Sequence, residues 1–222
     1  MSGYADYRKA LEQFPVTNED HLKPVPCCTA TDALLRSEGI GFLFDKDEDC
    51  ETVIVPLTLS DGQLVSIDPT VVGGTFRCEW DDLILRCKNH AVESEPYEVA
   101  LKVPAEVALK VPAEVTAEMA DEKTQITFVT REINHHPDSS QHFVPFSEKM
   151  YGMFLAPPSA DAADIKFYRF DGRQGVCIYP KVWHQPPIPL ETLSMQFYTQ
   201  QARSHNCVIY DTIDRERRWM RV

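Results

Sequence analysis

The chain has 222 residues, of which 43% are hydrophobic and 25% are charged, a composition typical of a globular protein. Its formal net charge of −12 argues against binding to nucleic acid, whose phosphates attract Lys and Arg, and against anionic membrane surfaces. An anionic small-molecule substrate would need a local cationic pocket within this negative field.

The seven cysteines predict free thiols rather than a disulfide framework. They form no Cys-x-x-Cys pattern, so the sequence indicates neither a structural zinc site nor a thioredoxin-like motif. The first residues lack the apolar core of a signal peptide, and no apolar run reaches membrane-spanning length. We therefore expect a cytoplasmic protein in a reducing compartment.

Residues 1–50 are predicted to form an extension of short helices and loops that packs on the main domain. The spacing of apolar residues indicates a helix over Tyr4–Phe14, ended by Pro15. Residues 17–30 are polar and contain prolines, which favours a loop. The remaining predicted elements are a helix at Thr29–Glu38 with Thr31 or Thr29 as N-cap and Gly39 at its end, a strand at Gly41–Phe44 and a solvated acidic turn at Asp45–Asp49.

Residues 51–222 have the pattern of one mainly β domain. Short runs rich in β-branched and aromatic residues are separated by turn signals such as Gly73-Gly74, which favours a β-sandwich or barrel. The predicted strands are Val53–Val55, Leu57–Leu59, Gln63–Ile67, Thr75–Trp80, Leu83–Cys87, Thr124–Glu132, Met150–Leu155, Gly175–Tyr179, Met195–Thr199 and Cys207–Tyr210. Ala162–Phe170 is predicted as a short helix or strand, and Trp219 and Met220 as anchors of the charged tail.

An exact repeat interrupts this pattern. The octapeptide Glu98–Ala105 recurs as Glu106–Ala113, and Glu114-Val115 begins a third copy. An even period returns the same residues to the same face of a strand, whereas Pro104 and Pro112 exclude a central strand. We interpret the repeat as a duplication tolerated in a loop or edge strand, with an adaptable insertion as the alternative.

The segment Trp183-His184-Gln185-Pro186 is the leading candidate for a functional site. It follows a predicted turn at Pro180, and the prolines at 186, 187 and 189 fix the backbone and remove N–H donors. Neither a helix nor a central strand is therefore expected here. A His held rigidly beside a Trp suits chemistry that needs preset geometry. The alternative is a core His packed under the Trp.

Further motifs accompany this segment. They are Glu132, His136-Pro137, Gln141, Phe143 and Pro145, then Gln174-Gly175-Val176, Val182-Trp183-His184 with Pro186, and Asn206-Cys207. In order and approximate spacing this set resembles the ureidoglycolate lyase family, also called ureidoglycolate hydrolase, over residues 125–210. The chain departs from the family pattern at Gln185, where the family has a second His, at His135, where it usually has Arg, and at residues 200–205.

The resemblance implies a cupin-like β-barrel of the double-stranded β-helix (jelly-roll) type, with short peripheral helices and the site at its open mouth. It also implies cleavage of ureidoglycolate, or a closely related small hydroxy-carboxylate, to glyoxylate and urea in allantoin catabolism. Such lyase chemistry needs a base near the hydroxyl, an acid near the leaving nitrogen and a cation for the carboxylate.

Under this resemblance His136 and His184 are the acid–base pair, because the pKa of imidazole lies near the working pH. Lys181 is assigned to catalysis, and either Lys181 or Arg131 would bind the substrate carboxylate. The other substrate-binding candidates are Gln141, Gln174, Tyr179 and Trp183. The candidate ligands of a divalent metal such as Ni or Zn are Glu132, His136, Gln141 and His184. His142 differs in strand parity from Gln141, so we predict that it faces outward.

Two further expectations concern function and assembly. Gln185 has no titratable proton and cannot replace a His in acid–base chemistry. The alternative function is therefore a non-catalytic, cupin-like binding or structural protein that has lost the family activity. Because an unpaired edge strand promotes association, we expect a homodimer. We expect the protein to bind a small-molecule carboxylate, and to bind neither nucleic acid nor a membrane.

Overall fold

A computed structural model describes residues 7–57, 68–92, 96–103, 127–159, 164–204 and 206–222. The protein is mainly β, as the sequence predicts, and its strands form two large sheets. The helices are α1 (Tyr7–Gln13), α2 (Asp32–Ser37) and α3 (Thr212–Glu216), with one 3₁₀ turn at Glu19–His21. Among the described residues, no helix has the length and apolar character that a membrane crossing requires.

The larger sheet has ten strands. In spatial order they are β1 (Leu22–Pro24), β17 (Trp219–Arg221), β7 (Thr127–Thr130), β6 (Tyr97–Val103), β5 (Ile84–Asn89), β4 (Val71–Asp81), β15 (Ser194–Ala202), β9 (Gln141–Pro145), β12 (Gly175–Ile178) and β3 (Gly41–Phe44). The neighbours β4, β15, β9 and β12 are antiparallel to one another, so their alternate side chains point together into the core.

The smaller sheet has seven strands. They are, in order, β16 (Val208–Asp211), β8 (Glu132–His135), β13 (Trp183–His184), β10 (Tyr151–Ala156), β11 (Lys166–Phe170) and β2 (Cys27–Thr29), with β14 (Ile188–Pro189) also paired to β10. Along the described residues neither sheet closes on itself. The cupin-like, mainly β class is therefore confirmed in the form of two facing open sheets, and the closed barrel is not formed.

Aromatic side chains from both sheets form the core. Phe197 of β15 lies edge-on to Tyr151 of β10 at 5.0 Å between ring centroids, and Phe128 of β7 stacks on Phe167 of β11 at 6.3 Å. All four side chains are buried. Each buried apolar side chain contributes roughly 1.5–3 kcal/mol, so these contacts hold the two sheets against each other.

The two ends of the chain pack together beside the larger sheet. Tyr7 of α1 lies 5.8 Å from Trp219, and Trp219 Nε1 donates to the carbonyl of Phe14 at 2.7 Å. Trp219 and Met220 are buried, which confirms them as anchors of the tail. Strands β1, β2 and β3 pair with β17, β11 and β12. The first fifty residues therefore add strands to both sheets, and a domain boundary at residue 50 stays a prediction.

Most predicted elements after residue 68, and the two N-terminal helices, are found close to their expected bounds. Thr31 is the N-cap of α2, since its Oγ1 accepts from Leu34 N–H at 3.2 Å, and Gly39 follows with a φ of +68°. Positive φ is the conformation that glycine adopts without strain. The predicted strand over Thr124–Glu132 divides at Arg131 into β7 and β8. The segment predicted as helix or strand over Ala162–Phe170 contains β11.

Four local predictions are wrong. Residues 17–30 are not a loop, because β1 and β2 form parallel pairs with strands distant in sequence. Gly73-Gly74 is no turn but part of β4, where a Cβ at Gly73 would overlap the Tyr198 hydroxyl. Trp183–His184 is a central strand, since the prolines follow the two paired residues. Val53–Val55 makes only an isolated bridge from Ile54 to Ser139.

The first copy of the octapeptide repeat contributes to β6, which lies between β5 and β7. An edge or loop position for this copy is therefore wrong, because Pro104 comes after the last paired residue. The second copy at Glu106–Ala113 lies outside the described residues, as do Gln63–Ile67 and most of Leu57–Leu59.

Candidate active site

The structure brings together the two histidines that the sequence analysis singled out. His184 lies on β13 and His136 directly follows β8. Their ring centroids are 4.9 Å apart, and both residues are buried, at 6% exposure for His136 and 4% for His184. These imidazoles are placed by neighbouring strands of the smaller sheet and are shielded from bulk water.

Each ring nitrogen of His184 faces an oxygen atom. Nδ1 lies 2.9 Å from the carbonyl of Val182, and Nε2 lies 3.1 Å from Oε1 of Gln141. Burial, together with a smaller contribution from the neighbouring His136, lowers the pKa of His184 to about 3. The ring is therefore neutral near pH 7. It has a single proton, which only one of the two facing oxygens can accept at a time. Both hydrogen bonds would favour the charged ring, but burial outweighs them.

A chain of side-chain amides fixes which atom Gln141 presents to His184. Asn89 Oδ1 accepts from the backbone N–H of Ala91 at 3.0 Å, so its Nδ2 must point to Gln201 Oε1, also at 3.0 Å. The same Gln201 oxygen accepts from Gln141 Nε2 at 2.9 Å. Gln141 consequently turns its own oxygen toward His184.

His136 is held by the Asn-Cys motif near the end of the chain. Its Nδ1 lies 2.8 Å from the carbonyl of Asn206 and must donate to it, which leaves the lone pair of the neutral ring on Nε2. Asn206 is held in turn by Asp138, whose Oδ2 accepts from Asn206 Nδ2 at 2.8 Å. The Asn206 motif thus sets the tautomer of His136 through its backbone.

Several buried polar atoms in these same segments have no hydrogen-bond partner among the residues that the structure describes. They are Asp138 Oδ1, Ser139 Oγ, Gln185 Oε1, Thr199 Oγ1 and Gln201 Nε2. A buried polar atom without a partner destabilises the fold by about 1–3 kcal/mol, and native proteins have few of them. Two of these residues, Asp138 and Gln201, belong to the hydrogen-bond network that holds His136 and His184.

Gln185, which replaces a His of the family pattern, has a structural contact. Its side chain is buried, and Nε2 donates to Thr130 Oγ1 at 2.7 Å and to the carbonyl of Glu132. The amide therefore ties β13 to β7 and β8. At the site, Glu132 contributes its backbone carbonyl oxygen, which accepts this hydrogen bond from Gln185.

The two predicted carboxylate-binding cations differ in their surroundings. Arg131 forms a half-buried ion pair with Asp211, to which its Nε donates at 2.9 Å, and also approaches Asp214. Lys181 is exposed and has a φ of +67°, and its backbone N–H donates to the carbonyl of His136 at 2.8 Å. Burial lowers the pKa of His135, and the charge of Lys181 acts in the same direction. Among the described residues, Lys181 forms no ion pair with a carboxylate, whereas Arg131 does.

The remaining predicted substrate-binding residues are only partly brought together. The rings of Trp183 and His135 lie edge-on next to the site, with 4.4 Å between their centroids. The ring centroids of Tyr179 and Phe42 are 5.9 Å apart. Gln174 is half-buried, and its amide donates to Asp45 at 3.2 Å. It precedes β12, whose opposite end pairs with Gln141, so the structure does not bring Gln174 to the imidazoles.

The predicted metal ligands at this site do not form a metal cage. In the part of the chain that the structure describes, one group of three Cys, His, Asp or Glu donors is close enough to share an ion, and it is Cys50, His142 and Cys177. At the His pair, Nε2 of His184 instead faces the amide oxygen of Gln141. A metal at the His pair remains a prediction.

Sequence reasoning missed Asn89, Gln201 and Asp138. A signal for Gln201 was present, since it lies four residues after Phe197 and therefore shares the inward face of β15. A polar residue at such a position is informative because it must find a partner. His142 was predicted to face outward, and this is wrong in one respect: it points away from Gln141, yet it is 2% exposed.

Fold and site together define a class, a cupin-like protein whose two facing sheets enclose a His pair tied to a chain of amides. A family profile described as ureidoglycolate lyase matches residues 89–214, more than half of the sequence. The chain belongs to the ureidoglycolate lyase family. The match extends from the amide of Asn89 past the Asn206 motif, so it contains all the site residues described above.

Individual relatives are similar over a smaller region. A ureidoglycolate lyase of Salmonella typhimurium is 28% identical over 81 residues, which is 36% of this chain and 51% of that protein. A ureidoglycolate lyase of Stutzerimonas stutzeri is 30% identical over 95 residues, 41% of this chain and 55% of that protein. The chain thus spans about half the length of the curated relatives it matches.

Proposed function

We propose that this protein cleaves ureidoglycolate, or a closely related small hydroxy-carboxylate, to glyoxylate and urea. The observation that carries the proposal is the convergence of His136, His184 and Gln141 within the region that matches the family. The convergence of these polar groups is what an active site requires. It favours an enzyme over a structural protein that has lost the activity.

The reaction moves one proton from the substrate hydroxyl to the leaving ureido nitrogen. The carbon–nitrogen bond breaks as the carbon–oxygen bond becomes a carbonyl, so no other reactant is needed. His136 is suited to carry this proton because Asn206 holds its N–H on Nδ1, which leaves Nε2 to accept. The imidazolium formed in this way then returns the proton to the departing nitrogen.

His184 has a different role in this proposal. Burial lowers its pKa to about 3, so the ring stays neutral and cannot serve as a populated charged acid near pH 7. Its proton and its rigid contacts with Val182 and Gln141 suit it to orient the substrate by hydrogen bonding. Lys181 supplies the positive charge for the substrate carboxylate, because Arg131 is engaged by Asp211.

The products place the protein in allantoin and purine catabolism. All seven cysteines are free thiols in the structure, which supports a reducing, cytoplasmic setting. The partner that the site requires is a small carboxylate.

The direct test is incubation of the full chain with racemic ureidoglycolate. Urea and glyoxylate should appear in equal amounts, faster than in a protein-free control that records spontaneous decay. Ammonia released in place of urea would identify a hydrolytic reaction and contradict the lyase proposal. Saturable binding of substrate without turnover, also after addition of Ni, Zn, Mn and Fe, would establish the non-catalytic alternative.

A further inference from the structure

We propose that Cys50, His142 and Cys177 form a zinc-binding site on the outer face of the larger sheet, separate from the His136–His184 pair. The Sγ atoms of the two cysteines and a ring nitrogen of the histidine all lie within 4.8 Å of one another. These are the donor types that Zn²⁺ prefers in proteins.

Strand register places two of these ligands side by side. His142 of β9 lies directly opposite Cys177 of β12 in an antiparallel pair, so both side chains emerge from the same face of the sheet. The adjacent Gln141 and Phe143 point to the other face, toward the core and the His pair. The zinc ligands and the catalytic candidates are thus separated by the thickness of the sheet.

The third ligand comes from a segment that covers this outer face. Residues 50–55 run along β9, where Val53 N–H donates to Ser140 Oγ at 2.9 Å and Ser140 N–H donates to the carbonyl of Val53 at 2.9 Å. This cover explains why His142 is buried although it points away from the core. Cys50 remains half-buried, which gives an ion a path from solvent.

One distance within the cluster matches the spacing expected at a tetrahedral zinc site. Zinc bonds of about 2.3 Å to sulfur and about 2.0–2.1 Å to nitrogen place tetrahedral S and N ligands about 3.6 Å apart. Cys50 Sγ lies 3.6 Å from His142 Nε2. Closure of the site around an ion therefore requires little movement of these two side chains.

The protonation and charge of the group also suit a soft divalent cation. Metal binding requires a neutral imidazole and deprotonated thiols. Two thiols that lose their protons to the ion would neutralise its double charge. The fourth position is left to a water molecule, for which Ser140 Oγ, 3.4 Å from His142 Nε2, is a neighbouring partner.

One ligand of the proposed site lies outside the region that matches the family, and the other two lie within it. Cys50 precedes residue 89, where the family match begins. Bound zinc would fasten residues 50–55 to β9 and β12. Val55 N–H donates to the carbonyl of Asp138 at 2.7 Å, so the same segment supports the residue that positions Asn206. We therefore infer a structural role for the ion.

The experiment uses the reduced full chain, stripped of metal with a chelator. Titration with Co²⁺, a spectroscopic substitute for zinc, should give one equivalent per chain and a thiolate-to-metal charge-transfer band. Zn²⁺ should displace the cobalt and raise the midpoint of thermal unfolding, since binding to the native state stabilises it. Absence of the band and of any thermal shift would overturn the proposal, whatever the outcome for urea release.

Variants identify the ligands. Cys50→Ser is conservative and half-exposed, so it should fold, and it should weaken zinc binding at least about 100-fold. Cys28→Ser is the matched control, a half-buried cysteine on β2 whose replacement should leave affinity unchanged. An unchanged affinity for zinc in Cys50→Ser would overturn the proposed zinc site. A Cys50–Cys177 disulfide in air with no metal binding after reduction would also overturn it, in favour of a redox pair.

Discussion

Asn89 Nδ2 lies 3.0 Å from Gln201 Oε1, and this bond sets the direction of the whole chain of amides that ends at His184. Asn89 lies on β5 and Gln201 on β15, two strands that are separated by β4. The backbone N–H of Ala91 fixes the orientation of Asn89. A residue that does not touch His184 therefore determines which atom His184 faces.

The isosteric change Asn89→Asp should reverse this chain. The carboxylate still accepts from Ala91 but now offers an oxygen to Gln201, whose amide must turn to donate. Gln141 then turns in response and presents its N–H to Nε2 of His184. The single ring proton, shared between two facing oxygens in the wild type, should settle on Nδ1. Imidazole ¹⁵N spectra measure the change.

Lys88→Ala is the control for this measurement, because Lys88 is the exposed neighbour of Asn89 on the same strand. It should leave the His184 signals unchanged. Unchanged His184 signals in Asn89→Asp would instead show that the amides do not act as one oriented chain.

Stability should decrease as the pH falls from about 6.5 to about 4. Burial lowers the pKa of His142 to about 4 and that of His184 to about 3, below the roughly 6.5 of an unfolded chain. In this window the unfolded state binds more protons than the native state. The free energy of unfolding should fall by up to about 1.4 kcal/mol per pH unit for each His. Urea unfolding of the metal-free protein measures the slope.

The slope should be smaller in His142→Gln, which removes one of the two buried rings. His90→Gln, a change at an exposed His on the adjacent part of the sheet, should retain the wild-type slope. Equal slopes in all three proteins would mean that the His142 ring does not resist protonation.

Gln185→Ala should destabilise the fold without a matching loss of chemistry. The substitution leaves a cavity and removes the bonds to Thr130 and to the carbonyl of Glu132. Loss of a buried bond of this kind costs about 1–3 kcal/mol. Urea unfolding measures this cost, and urea release per folded molecule should stay near wild type. A large loss of turnover at full stability would instead identify Gln185 as a catalytic residue.

The expected homodimer has a structural candidate for its interface. β16 is an edge strand, and its residues Val208 and Ile209 are 44% and 47% exposed. Exposed apolar residues on an unpaired edge promote strand pairing between molecules. Light scattering at micromolar concentration should give a dimer mass, and Ile209→Lys should shift it to the monomer. A monomer mass for the wild type would contradict the prediction.

The sequence predicted the elements whose cause is local. Alternation placed β4, β5 and β15, and the cap at Thr31 placed α2. It failed where distant segments decide the outcome, as in β1 and β2, whose parallel partners lie far away in the chain.

The same division holds for the candidate site. His136, His184 and Gln141 were predicted from motifs, and they converge. The oriented amides of Asn89 and Gln201 could not be predicted, because the register that joins β5, β4 and β15 is a property of the sheet. The cluster of Cys50, His142 and Cys177 was missed because its cysteines have no motif spacing. Cys50 and Cys177 come together only because residues 50–55 fold over the outer face of the larger sheet.

The two histidines of the site should respond differently to replacement by glutamine. Glutamine has no proton to exchange, so His136→Gln removes the proposed proton carrier, and kcat should fall about 10²–10⁴-fold. His184→Gln retains an N–H donor in the buried position next to Gln141. Its kcat should fall only about tenfold, the value of one hydrogen bond of about 1.4 kcal/mol. Urea release per folded molecule, corrected by thermal unfolding of each variant, measures both effects. The reverse ranking would assign proton transfer to His184 and would contradict the neutral role that its burial implies.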